Sequence, residues 1–221
     1  MANFKDLPLP LQMKIYRLHL LHDEPVTPEQ HDDNVRHGLT FHSYSEKHVP
    51  PILHAVTDRE DVLATVYYGE NMFDFRTPAE IFHFKWITKL RHLRLIRRVT
   101  CDWNGTSKYA TEVFRVLGQM KSLEELVIRT EEKNMLRQLL YSKKRYQRVG
   151  LDDPSPQQQL LILQFPGMLG LLSLSGIRSV RFAVMLNAKG EESGGPIPGG
   201  VLETLVAPRL MGPKPRKRST R

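Results

Sequence analysis

The sequence predicts an α/β chain: a helical N-terminal segment over residues 4–76, a small mixed or parallel sheet with crossover helices and repeat-like strands over residues 77–210, and a disordered basic tail over residues 211–221. Three observations predict it. Apolar residues recur at helical spacing early in the chain, helix-like and strand-like patterns alternate after it, and an apolar triple returns at a fixed interval.

The first element covers residues 6–21. Pro10 falls in its first turn, where backbone N–H groups have no intrahelical acceptor to lose. From there Leu11, Ile15 and Leu18 fall at i, i+4 and i+7 and make one stripe, which Leu20 and Leu21 widen, while Lys14 and Arg17 fall off it. Core is the expected place for that stripe, because apolar helical positions are mostly buried. Residues 23–51 are polar, contain Pro25, Pro28, Pro50 and Pro51, and read as a long loop with a short strand expected at 39–44. A second helix is expected over residues 59–68, where Val62, Leu63, Val66 and Tyr67 keep helical spacing and Gly69 takes the place of a C-terminal cap. A strand follows over residues 70–76, with Phe73 and Phe75 to one side, Asp74 and Arg76 to the other, and its end before Pro78.

Two of these pieces resemble the opening of fungal F-box-like proteins. Leu7, Pro8, Leu11, Ile15 and Tyr16 match the leucine-proline to isoleucine-tyrosine frame of that family's first helix, with Pro10 at its glutamate and Gln12 at its arginine. The string Tyr68-Gly69-Glu70-Asn71-Met72-Phe73 matches the family's passage from a helix into a phenylalanine-bearing strand, although Thr57-Asp58-Arg59 replaces the arginine-glutamine-isoleucine upstream. The resemblance covers residues 4–76. It implies a non-catalytic protein whose N-terminal helices contact the small adaptor subunit of a cullin-RING ubiquitin ligase and whose remainder recruits a substrate protein. The residues it implies for the adaptor contact are Leu7, Pro8, Leu11, Ile15 and Tyr16.

Beyond residue 76 the informative feature is a spacing. Ile96, Val99 and Cys101 match Leu123, Leu126 and Ile128 at an offset of 27, and these match Ile177, Val180 and Phe182 at twice that offset. A residue three before a strand and two inward strand positions recurring in this way resemble a leucine-rich-repeat layout, and any α/β domain with similar connection lengths would also produce it. Residues 108–120 place Ala110, Val113, Phe114 and Leu117 on one face, as a crossover helix between parallel strands would. A further helix is expected over residues 134–146, on Met135, Leu136, Leu139 and Leu140, before a break at Asp152-Asp153-Pro154-Ser155-Pro156. Residues 190–200 carry five glycines and two prolines and read as a flexible surface loop; residues 201–206 form a last apolar segment of unassigned type.

Composition bounds the chemistry. Cys101 is the only cysteine, which excludes an internal disulfide and a cysteine-based zinc site and fits a reducing intracellular compartment, cytoplasmic or nuclear. The N-terminus lacks the apolar core of a secretion signal, and the longest apolar-rich stretch, residues 160–174, is too short for a membrane span, so no membrane association is expected. The net charge is +8, but Lys214, Arg216, Lys217, Arg218 and Arg221 carry five of those charges, leaving 27 basic against 24 acidic groups, or +3, over residues 1–211. Such a tail suits a nuclear import signal or simply adds solubility.

Seven of the nine histidines lie between residues 19 and 54, with His19 and His22 on one helix face, yet the spacings match no metal motif, and neither metal nor cofactor is expected. The carboxylate pairs Glu131-Glu132, Asp152-Asp153 and Glu191-Glu192 point in different directions and read as surface charges, not acid/base dyads. Ser173, Ser175 and Gly176 lack the order of a nucleophile elbow, and Gly167-Met168-Leu169-Gly170 lacks the lysine of a phosphate loop. No enzyme constellation is found. One alternative function survives: a nucleic-acid- or chromatin-associated protein using the tail together with Lys85, Trp86, Arg91, Arg94, Arg97 and Arg98. Opposed to it, the same segment reads as a helix or strand edge with a basic polar side, in which Trp86, Ile87, Leu90, Leu93 and Leu95 serve as packing residues. A similar run, Lys143-Lys144-Arg145 with Arg148, follows.

Overall fold

The computed structural model describes residues 4–28, 60–103, 110–142, 160–186, 192–198 and 200–213. A 3-10 turn, Phe4–Asp6, leads into helix α1 (Leu9–Leu20), followed by α2 (Glu60–Glu70), strand β1 (Met72–Phe75), α3 (Pro78–Ile87), α4 (Leu90–Leu93) and β2 (Arg98–Trp103). Then come α5 (Ala110–Leu117), β3 (Glu125–Thr130), α6 (Glu132–Ser142), a 3-10 segment at Leu160–Gln164, α7 (Met168–Leu172), β4 (Ser179–Leu186) and β5 (Glu192–Gly194). A wide helical turn, Leu202–Val206, runs into α8 (Ala207–Met211).

The chain is mixed α/β. Strands β1 to β4 are parallel and lie side by side in sequence order, with β5 antiparallel on β4. The 27-residue offset is the register of this sheet: Val99 pairs with Leu126 and Cys101 with Ile128, and these pair in turn with Val180 and Phe182. Parallel neighbours need a crossover of a dozen or more residues, and α3, α5 and α7 lie in those crossovers, packed in a row on one another. The strand side chains that face them are apolar: Phe75 meets Phe84 of α3 at 5.3 Å, and Trp103 meets Phe114 of α5 at 5.4 Å.

Local chemistry places the helices. Thr77 caps α3 by accepting the Glu80 N–H, Pro78 occupies its first turn, and the Glu80 carboxylate reaches back to the Arg76 N–H at 2.7 Å. In α5 the buried residues are Ala110, Val113, Phe114, Val116 and Leu117, so the expected crossover face is the one that packs. Gly167, at φ 89°, begins α7 in the left-handed region, and a β-carbon there would lie 2.8 Å from the Ala110 β-carbon, so only glycine seats α7 this close to α5.

Several expectations change. Gly69 lies inside α2, which continues to Glu70, and is not a cap beyond its end. Within the glycine-rich stretch, residues 192–194 form β5, because Gly194 and Glu192 pair with Met185 and Leu186. In the segment read as a loop, Val26 forms a one-residue parallel bridge to Phe73, its N–H donating to the Met72 carbonyl at 2.8 Å and its carbonyl accepting from the Asp74 N–H at 2.9 Å. That bridge covers part of the free edge of β1. The strand expected at 39–44, the Asp152-Asp153 break, the Lys143 run and residues 214–221 of the basic tail lie outside the described residues, while Met211, expected in the disordered tail, is the last residue of α8.

Among the described residues one apolar cluster extends from Tyr16 and Leu20 through the sheet to Val206 and Leu210. Residue 76, the expected end of the first segment, falls between β1 and α3, so the sheet continues across that boundary.

Candidate protein-interaction site

Helix α1 has two apolar sides, and the structure assigns them. Gln12, Tyr16 and Leu20, at i, i+4 and i+8, face inward and are buried. Leu11, Ile15 and Leu18, the stripe expected in the core, point away from it: Leu11 is 46% exposed, Leu18 82%, and Ile15 half-buried. Leu9 and Leu21 add exposed apolar surface at the two ends. The expectation fails for a physical reason. Two leucine-bearing stripes lie about 130° apart on this helix, and the period alone cannot say which one meets the core.

What selects the inner side is a set of specific contacts. Tyr16, 2% exposed, takes the ring of Phe4 edge-on at 5.3 Å. The Gln12 amide donates to the Leu7 carbonyl at 2.7 Å, tying the 3-10 turn to the helix. At the other end Asn71, from the Tyr-Gly-Glu-Asn string, is buried and donates to the carbonyls of Leu20 and Tyr67 at 2.8 and 2.9 Å while accepting from the His22 N–H at 2.9 Å. Its neighbour Glu70 accepts from Arg17 of α1 through both carboxylate oxygens. The two matched motifs are therefore in contact: the second fastens the helix made by the first.

Of the five residues implied for the adaptor contact, Pro8 and Leu11 are exposed and Leu7 and Ile15 half-buried. Tyr16 is a correction. Its ring is interior, so it holds the helix from beneath and offers no surface to a partner.

The basic segment is divided by the fold. Lys89 and Arg91 meet Glu60 of α2 at 2.5 and 2.8 Å, and hydrogen bonds from these two cations hold the Glu60 carboxyl down at about 2. His92, packed flat on Tyr68 at 5.1 Å, is kept below its usual range by burial. Arg98 donates to the Glu70 carbonyl. Lys85, Arg94 and Arg97 make no ion pair among the described residues. The packing assignment for this segment also needs correction: Leu93 is buried and Leu95 half-buried, but Trp86 is 71% exposed, Leu90 50%, and Ile87 also exposed.

On the sheet face opposite α3 and α5, Arg129 donates to both oxygens of Asp74 and at 2.5 Å to Asp102. Burial pushes the Asp102 carboxyl up, against the pull of this guanidinium. The triad links β1, β2 and β3 across their outward positions, a use of polar strand residues invisible without the register.

Glu132 contradicts its reading as a surface charge. It is fully buried at the start of α6, accepts the Ile197 N–H at 2.9 Å, and has its carboxyl raised by burial. Cys101 is interior, and burial pushes its thiol up to about 12, which leaves no thiolate nucleophile at neutral pH. Among the described residues no group of three or more His, Cys, Asp or Glu side chains is arranged to hold a metal, and no helix is long and apolar enough to cross a membrane. His19 is exposed in the last turn of α1, whereas His22, also exposed, lies beyond the helix end, so the two do not share the helix face expected of them; the other five clustered histidines lie outside the described residues.

No family model, curated protein or solved structure matches this chain.

Proposed function

We propose that this chain is a non-catalytic protein-interaction protein that offers the outer side of α1 to the adaptor subunit of a cullin-RING ubiquitin ligase and recruits a substrate protein through the rest of its surface. The observation that carries this reading is the outward row Leu11, Ile15 and Leu18, on a helix whose opposite side is anchored by Tyr16, Leu20, Asn71 and Glu70. Single exposed leucines need no explanation, whereas a row of them along a fastened helix is the form in which an amphipathic helix meets a partner groove. The resemblance to fungal F-box-like proteins in the residues of α1 names the class of partner.

The test is co-purification with the adaptor subunit. Wild-type protein should recover it, and Leu11→Asp with Leu18→Asp should lose it, since both positions are exposed and the substitutions leave the buried side intact. Equal recovery by the double variant, or no recovery by the wild type, would overturn the reading.

A further inference from the structure

The corner formed by α3, α4 and the turn after α5 holds a cleft of about 420 Å³ whose rim collects charges distant in sequence. Lys85 comes from α3, Arg94 from the end of α4, and Lys121 from the turn before β3. Leu90 and Leu93 form an apolar wall, Gln119 adds an amide, and among the described residues no carboxylate lines the space. Lys121 spends one N–H on the Gly118 carbonyl at 2.8 Å and keeps two donors. On the far side of α4, by contrast, Lys89 and Arg91 share the Glu60 carboxylate, and Arg91 also lies 3.6 Å from Asp61. Positive charge is thus concentrated at the cleft, next to apolar walls that strengthen its field.

Beside the cleft stands an exposed aromatic. Trp86 is 71% exposed, and the Lys85 ammonium lies 5.7 Å from its ring centroid. A cation at the cleft and a solvent-facing indole are therefore one side chain apart.

We infer that this cleft binds single-stranded nucleic acid, with Lys85, Arg94 and Lys121 holding a phosphate and Trp86 stacking on a neighbouring base. A single strand is the ligand that offers an anion and a flat apolar face side by side. The cationic site is a compact cleft, not a long stripe such as would follow a duplex backbone. This site is separate from the outer side of α1, and either can fail without the other.

The full chain is titrated into a fluorescent oligouridine of about 12 nucleotides, within the range of single-strand site sizes, and binding is followed by anisotropy at several salt concentrations. Lys85→Ala, Arg94→Ala and Lys121→Ala together should weaken binding by at least tenfold and flatten the salt dependence, by about 0.7 in log–log slope for each phosphate contact removed. Trp86→Ala should weaken binding on the order of tenfold with an unchanged salt slope. Arg209→Ala, an exposed cation of α8 away from the cleft, should leave binding unaltered. All substituted side chains are partly or fully exposed, and a matching thermal transition checks that each variant is folded. The inference is overturned if the triple variant binds like wild type, if Arg209→Ala weakens binding equally, or if removal of residues 214–221 alone abolishes it. It is also overturned if a phosphoserine peptide binds the cleft and the oligonucleotide does not.

Discussion

Glu132 brings a carboxylate into the interior, where its Oε2 accepts the Ile197 N–H and a β-carbon at Gly200 would come within 3.1 Å of that oxygen. Ionisation there is opposed chiefly by burial, so the folded protein keeps the proton to higher pH than the usual 4.5. Between those two values the folded state binds more protons than the unfolded one. The contribution of Glu132 to stability is consequently full below 4.5 and is lost as pH rises through the folded value. Urea unfolding of wild type and Glu132→Gln from about pH 4 to about pH 8 should show the wild type losing stability relative to the variant as pH rises. A difference independent of pH would mean that the carboxyl titrates normally. Glu60 works in the opposite sense, since its carboxyl is held down by Lys89 and Arg91, so its contribution is present above 4.5 and is lost as pH falls toward about 2. Neither role was legible in sequence. Glu131-Glu132 reads as one more charged pair, because burial is decided by the arrival of Gly195, Ile197 and Gly200 from far along the chain.

At the scale of elements, α1 shows what periodicity can and cannot decide. The helix itself follows from Pro8 and Pro10 at its start and from apolar spacing, and it forms at Leu9–Leu20 as expected. Its orientation does not follow, because Leu18 and Leu20 are chemically identical and differ only in what the fold brings near them. Leu20→Ala, at a position with no exposure, should cost about 2–5 kcal/mol, whereas Leu18→Ala should stay within about 0.5 kcal/mol of wild type. Chemical denaturation of the two variants checks this, and equal losses would contradict the assigned inner side. The strands were more legible than the helix faces. Phe73 and Phe75 alternate with Asp74, and Val99, Cys101, Leu126 and Ile128 repeat at a constant step, so that period and register agree.

At the scale of the molecule, the N-terminal segment and the sheet are joined by more than a linker. Phe73 of β1 lies 5.5 Å from Phe84 of α3, and β1 hydrogen-bonds to β2, so the first segment's core is completed by residues beyond its end. A fragment of residues 1–76 loses both neighbours and should not fold alone, judged by dispersion in an NMR spectrum and by the absence of a cooperative thermal transition. A well-dispersed spectrum would show that α1, α2 and β1 suffice. The same continuity places the candidate surfaces apart: the outer side of α1, the cleft at the corner of α3 and α4, and the partly buried Asp74-Arg129-Asp102 triad on the sheet face opposite α3 and α5.

What the sequence determined by itself was the local grammar: helix starts, strand alternation, the 27-residue step and the α/β class, because each depends on backbone preference and short-range periodicity. Only the tertiary structure decided which side of α1 is outside, that Lys121 joins Lys85 and Arg94 at one cleft, that Arg91 pairs with Glu60, and that Glu132 is interior. Those outcomes depend on pairs 27 to 65 residues apart in the chain, and burial and charge pairing are properties of the neighbours the fold supplies.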